Sequence, residues 1–94
     1  MEYAETIYVP NAITLNGDGK NEIFKVYSTG ILEIQVEIFN RWGEQIYEYN
    51  TVEGGWNGKY NDHFVQEDVY VYRIHARGVV HPDIYKIGTV TVAK

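Results

Sequence analysis

Ninety-four residues can hold one hydrophobic core, since two would each bury too little apolar surface to stand alone. A formal net charge of −5 with no cluster of Lys or Arg argues against nucleic acid and anionic membrane as partners, and no apolar run nears the ~20 residues that cross a bilayer. Cysteine is absent, which removes disulfides, thiolate metal sites and a cysteine nucleophile.

The apolar residues are of one kind. Ile and Val number 21, Leu and Ala only 6, and nine tyrosines are added to them. Branched and aromatic side chains suit a pleated, half-buried surface and lose rotamer freedom in a helix, so the composition predicts strands throughout. The start, Met1-Glu2-Tyr3-Ala4-Glu5, has neither the basic nor the apolar segment of a signal peptide. If the domain is exported, a leader is expected on a longer parent chain.

In chain order, a first strand is predicted over Thr6 to Val9. The loop Asn16-Gly17-Asp18-Gly19-Lys20-Asn21-Glu22 follows, with two glycines for left-handed backbone and side chains that can bond their own main chain. Oxygen ligands interleaved with glycine also suit calcium, with Asn16, Asp18 and Asn21 as ligands. An EF-hand alignment of Asp18-Gly19, however, puts Lys25 where the bidentate glutamate belongs. A structural turn is therefore preferred over a calcium site, and no other cofactor is expected.

A weak strand is predicted over Ile23 to Tyr27, then a strong one over Ile31 to Asn40. In the latter, Leu32, Ile34, Val36 and Ile38 share one face while Glu33, Gln35 and Glu37 share the other. Arg41-Trp42-Gly43 then forms a corner, where Arg beside Trp suits a partner surface and Gly permits a bend. The alternative is that Trp42 plugs one end of the core. Trp56, set among Gly54, Gly55 and Gly58, is open to the same two readings.

Weaker strands are expected over Glu44 to Tyr49 and around Lys59-Tyr60, with a turn at Asn61-Asp62. Val69 to Arg77 alternates Tyr70, Tyr72, Ile74 and Ala76 against Val69, Val71, Arg73 and His75. With Tyr85 to Ala93 it should form an antiparallel hairpin across a longish loop. A tyrosine near the start of this late strand fits a tyrosine corner, whose hydroxyl bonds back to upstream backbone. His63, His75 and His81 lack metal-ligand spacing and read as solvated polar residues. No acid, base or nucleophile constellation emerges, so no enzyme is expected. The fold expected is an all-β, immunoglobulin-like, two-sheet antiparallel β-sandwich of about seven strands.

Five segments in this order carry a resemblance. They are Val9-Pro10-Asn11-Ala12-Ile13-Thr14 running into Asn16 to Lys25; Ile38 to Glu44; Gly55 to Asn61; Val69 to Ile74; and Gly88 to Val92. Together the chain resembles the gliding-motility-associated C-terminal domain, the type B sorting domain of the type IX secretion system. It departs from that pattern at Leu15, where proline is usual, at Glu22, where aspartate is usual, and at Gln66-Glu67-Asp68, where Pro-Asp-Gly is usual.

The resemblance implies that residues 1–94 form one C-terminal sorting domain of a larger secreted, adhesin-like protein. It implies recognition by the type IX outer-membrane translocon and a PorP/SprF-type adaptor. The route would run through the periplasm to the outer-membrane surface or the extracellular space. Asn16, Asp18, Asn21, Arg41, Trp42, Gly43 and Trp56 are the candidate contact residues, on a domain taken to be monomeric. The alternative, from a different class, is a carbohydrate-binding or adhesive module built on an aromatic platform.

Overall fold

A computed structural model of the chain describes residues 5–17 and 22–94. Every regular element among them is a strand: β1 (Thr6–Tyr8), β2 (Ala12–Thr14), β3 (Tyr27–Thr29), β4 (Ile31–Phe39), β5 (Gln45–Tyr49), β6 (Lys59–Tyr60), β7 (His63–Phe64), β8 (Asp68–Gly78) and β9 (Ile84–Ala93). Five of these make one sheet in the order β2-β9-β8-β4-β5, while β1 pairs with β3 and β6 with β7. The all-β reading holds, with nine strands where about seven are expected. The strands form one dominant five-stranded sheet and two small two-stranded ribbons.

The long strands follow their alternation. Ile34, Val36 and Ile38 of β4, Tyr70, Ile74 and Ala76 of β8, and Val90 and Val92 of β9 are buried together on one face. The predicted hairpin is β8–β9, antiparallel from Asp68↔Val92 to Ala76↔Ile84. Leu32 is the exception on β4. The register slips between Ile31 and Glu33, so an extra residue bulges out. Leu32 is therefore exposed, and Ile31 packs on the core in its place.

Two expectations need correction near the N-terminus. Strand structure is not found over Ile23 to Tyr27: Phe24 makes only an isolated bridge to Trp56, and the strand starts at Tyr27. Ala12–Thr14, too short to show alternation, pairs parallel with β9, so the main sheet is not wholly antiparallel. Parallel partners cannot be joined by a tight turn, and here everything from β3 to β8 lies between them.

The core face of the sheet is covered by short segments. Phe24, Val26 and Trp56 are buried against it, and Ile7, Val9 and Leu15 pack around them. Phe24 and Trp56 exchange backbone hydrogen bonds of 2.7 and 2.9 Å. Their rings lie 5.7 Å from Tyr72 and 5.6 Å from Tyr70 respectively, so the cover is keyed to β8 by aromatic contacts. The β6–β7 turn is Asn61-Asp62, both at positive φ (53° and 67°), the backbone that a two-residue hairpin requires.

Candidate partner-recognition site

Strand directions decide which loops meet. β4 and β9 run the same way, as does β2, while β5 and β8 oppose them. The loop after β2, the β4–β5 turn and the connection into β8 therefore emerge at one end of the sheet. That end carries the Arg41-Trp42-Gly43 corner, and of the loop after β2 only Leu15, Asn16 and Gly17 are among the described residues before Glu22.

The β4–β5 turn is closed by five hydrogen bonds centred on Asn40. Its backbone N–H donates to the Glu44 carbonyl (2.9 Å), and its carbonyl accepts from Gly43 N–H (3.0 Å). Its side-chain Oδ1 accepts from the N–H groups of Trp42 (3.0 Å) and Glu44 (2.9 Å), and its Nδ2 donates to Glu44 Oε1 (2.9 Å). Gly43 sits at φ 82°, a conformation open to glycine at little cost. The predicted bend is therefore present, and Asn40 is its organiser. Sequence reasoning passed over Asn40 as a site residue, although an Asn three residues before a Gly is a usable turn signal.

This turn holds Trp42 outward, with 81% of its surface exposed. An indole carries about 200 Å² of surface, so exposing it forgoes up to roughly 5 kcal/mol of burial. The plug reading fails for Trp42. Arg41 lies over its ring at 5.5 Å and reaches Asp68 at 3.5 Å. An exposed pair of this kind contributes little stability, so its effect is to fix where Arg41 stands.

A cleft of about 290 Å³ opens beside Trp42, lined also by Arg41, Tyr60, Val65, Gln66 and Asp68. Its far wall is the connection into β8, the segment that lacks Pro-Asp-Gly. Three side-chain bonds brace it instead. Tyr70 donates its hydroxyl to the Gln66 carbonyl (2.9 Å), which is the expected tyrosine corner. Asp68 Oδ1 accepts from Val69 N–H (2.8 Å), and Glu67 Oε1 accepts from Lys94 N–H (2.7 Å). Burial first, and the Asp68 carboxylate second, raise the Tyr70 pKa above the ordinary tyrosine value, which keeps that donor protonated.

The other predicted residues fall differently. Trp56 is fully enclosed (0% exposed) and donates its indole N–H to the Lys59 carbonyl at 3.0 Å. It is a core residue with no surface for a partner, and that contact reading is corrected. Gly17 N–H bonds Glu22 Oε1 at 2.9 Å, closing the loop from both flanks. Asn16 lies on this loop, and Asp18 and Asn21 fall outside the described residues. Among the described residues, no cluster of three or more His, Cys, Asp or Glu is placed to hold a metal ion.

No curated relative and no solved structure matches the chain significantly. The family described as the CHU_C type IX secretion signal domain matches residues 7–92. A secretion signal is not a catalytic family, and its members engage the type IX system for export toward the cell surface or the extracellular space. With nearly all of its length matched, this chain belongs to the type IX secretion signal domain family.

Proposed function

We propose that the domain is the C-terminal sorting signal of a larger surface protein, read in the periplasm through the end of the sheet that carries Trp42. The observation that carries this reading is an exposed indole on a turn locked by five hydrogen bonds, beside a cleft. Rigid aromatic and Arg side chains beside a pocket are the usual anchors of protein–protein contacts, because little side-chain freedom is lost on docking. The reader is then an outer-membrane adaptor of the PorP/SprF type acting with the translocon, and the parent is an adhesin of the gliding-motility class. The domain acts as a monomer.

Short segments covering the core face support treating the fold as an immunoglobulin-like sandwich with a reduced second layer. In this reading the domain holds no cation through Asn16, Asp18 and Asn21 and takes no other cofactor. Melts with excess calcium and with chelator should coincide, and a rise with calcium would restore the cation site. The export reading is tested by fusing the domain to a passenger that carries a signal peptide, in cells with a type IX system. The passenger should reach the surface or the medium. Retention equal to that of the passenger alone would overturn the proposal.

A further inference from the structure

One edge of the five-stranded sheet is only half covered. β2 pairs with β9 from Thr91 to Ala93, and the Asn11 carbonyl adds a bond from Thr91 N–H (2.9 Å). Ahead of β2 the chain leaves that edge, because β1 pairs with β3 in a separate ribbon. The first half of β9 therefore has β8 on one side and, among the described residues, no strand on the other.

Alternation fixes which backbone groups are open. The N–H of Thr91 and the carbonyl of Ala93 point to the β2 side, since they bond Asn11 and Leu15. The β8–β9 register runs unbroken from Asp68↔Val92 to Ala76↔Ile84, so Tyr85, Ile87 and Thr89 aim their N–H and C=O the same way. None of these groups has a hydrogen-bond partner among the described residues. The opposite edge, β5, is blunted by a bulge where it pairs with Ile38 and Phe39. The open half of β9 carries no such device.

The side chains decide what strand would fit. On the outer face Tyr85 is held by a stack on His75, and Ile87 beside it is 73% exposed. On the other face stand Lys86 and Gly88. Lys86 is exposed and joins no ion pair among the described residues. The nearby carboxylates are already used, Glu5 by Val80 and His81, and Asp83 by His75. Tyr72 lies over Gly88, its cross-strand partner, where a Cβ would fall 2.4 Å from the phenol oxygen. Its ring is backed by Phe24, and its hydroxyl makes no hydrogen bond among the described residues. An ammonium and a hydroxyl thus border the same stretch of open edge.

We propose that the open half of β9 takes up an extended segment of a partner protein as an added strand in line with β2. An acidic residue of that segment lies opposite Lys86, and apolar residues lie opposite Tyr85 and Ile87. Backbone bonds supply the affinity and alternate side chains the choice of segment. A second copy of the domain would bring another Lys86 in place of the acid, and lysine on an edge deters such pairing. The site is separate from the Trp42 turn and does not depend on the export reading.

The probe is the blocked pentapeptide Thr-Val-Glu-Val-Thr, with Thr-Val-Lys-Val-Thr as its charge control, titrated into ¹⁵N-labelled domain. The Glu peptide should bind with a dissociation constant of about 1 mM or tighter and slow hydrogen exchange at the Tyr85, Ile87 and Thr89 amides. The Lys peptide should bind about tenfold more weakly, and Lys86→Glu should reverse that order. Ile87→Pro removes only an N–H that faces the open edge, so binding should be lost while a cooperative melt is kept. Lys86→Glu, at an exposed side chain, carries the test if the proline variant does not fold. Trp42→Ala should leave binding unchanged. Binding by neither peptide, equal binding by both, exchange slowed at β5 instead, or dimerisation of the domain through β9 would overturn the site.

Discussion

The two ends of the five-stranded sheet solve the problem of an exposed surface in opposite ways. At the Trp42 end, the polar groups turn inward onto their own backbone, as Asn40 and Tyr70 do, and an apolar ring is left outside. At the other end the charges pair across strands, and a stacked tyrosine faces the solvent. The first arrangement suits a dry protein contact; the second leaves a polar, charge-paired surface. One rigid scaffold can carry both because the core between them is a single cluster.

The largest effect should come from removing what the ends share. Trp56→Ala deletes a fully enclosed ring that touches Tyr70 and pairs through its backbone with Phe24. A loss of about 3–5 kcal/mol is expected by urea unfolding, and both ends should loosen together. A loss under ~1 kcal/mol would mean that the cover layer is not keyed to the sheet as described.

Gly78→Ala should come next and should act on the second end alone. A Cβ there would fall 1.5 Å from Glu5 Oε2, so the carboxylate must leave. Glu5 accepts from the N–H groups of Val80 and His81, both at 3.1 Å, and contacts the His81 ring. The expected cost is about 1–3 kcal/mol, with the Trp42 end unmoved in amide shifts. Shifts spreading to Trp42 would show that the ends are not independent.

A smaller effect is the acid response of the same latch. The His81 side chain first, then the backbone N–H groups, hold the Glu5 carboxyl below its ordinary value. A carboxyl with a lowered folded pKa stabilises above its unfolded pKa of about 4.5 and loses that contribution as pH falls through the folded value. Wild type should therefore lose stability below about pH 4.5 more steeply than Glu5→Gln, which has no proton to gain. Parallel acid melts of the two proteins would contradict this.

Much of the fold was legible because long strands advertise themselves. The alternations in Ile31–Phe39 and Asp68–Gly78 are longer than chance patterns and place the core directly. What escaped was short or non-periodic. Three residues of β2 cannot show a period of two, and Leu32 fits the period until a bulge, invisible in sequence, displaces it. At the site, Arg41-Trp42-Gly43 was readable as a corner. Its exposure was not, because Trp42 and Trp56 both lie near glycines yet end at opposite extremes of burial. Asp68 and the cleft depend on pairing across some 25 residues of chain, which only the fold supplies. Likewise the open half of β9 exists only once β2 and β8 are in register beside it.

The central claim is that the Trp42 end is what export machinery reads. The most direct measurement is surface delivery of a passenger fused to the Trp42→Ala domain, beside wild type and a Tyr85→Ala control. Trp42 is 81% exposed, so its removal should change stability by less than ~0.5 kcal/mol. Delivery should nevertheless fall about tenfold or more, as for loss of an interface anchor, while the Tyr85→Ala fusion is delivered normally. Wild-type delivery of a stably folded Trp42→Ala fusion would contradict the account.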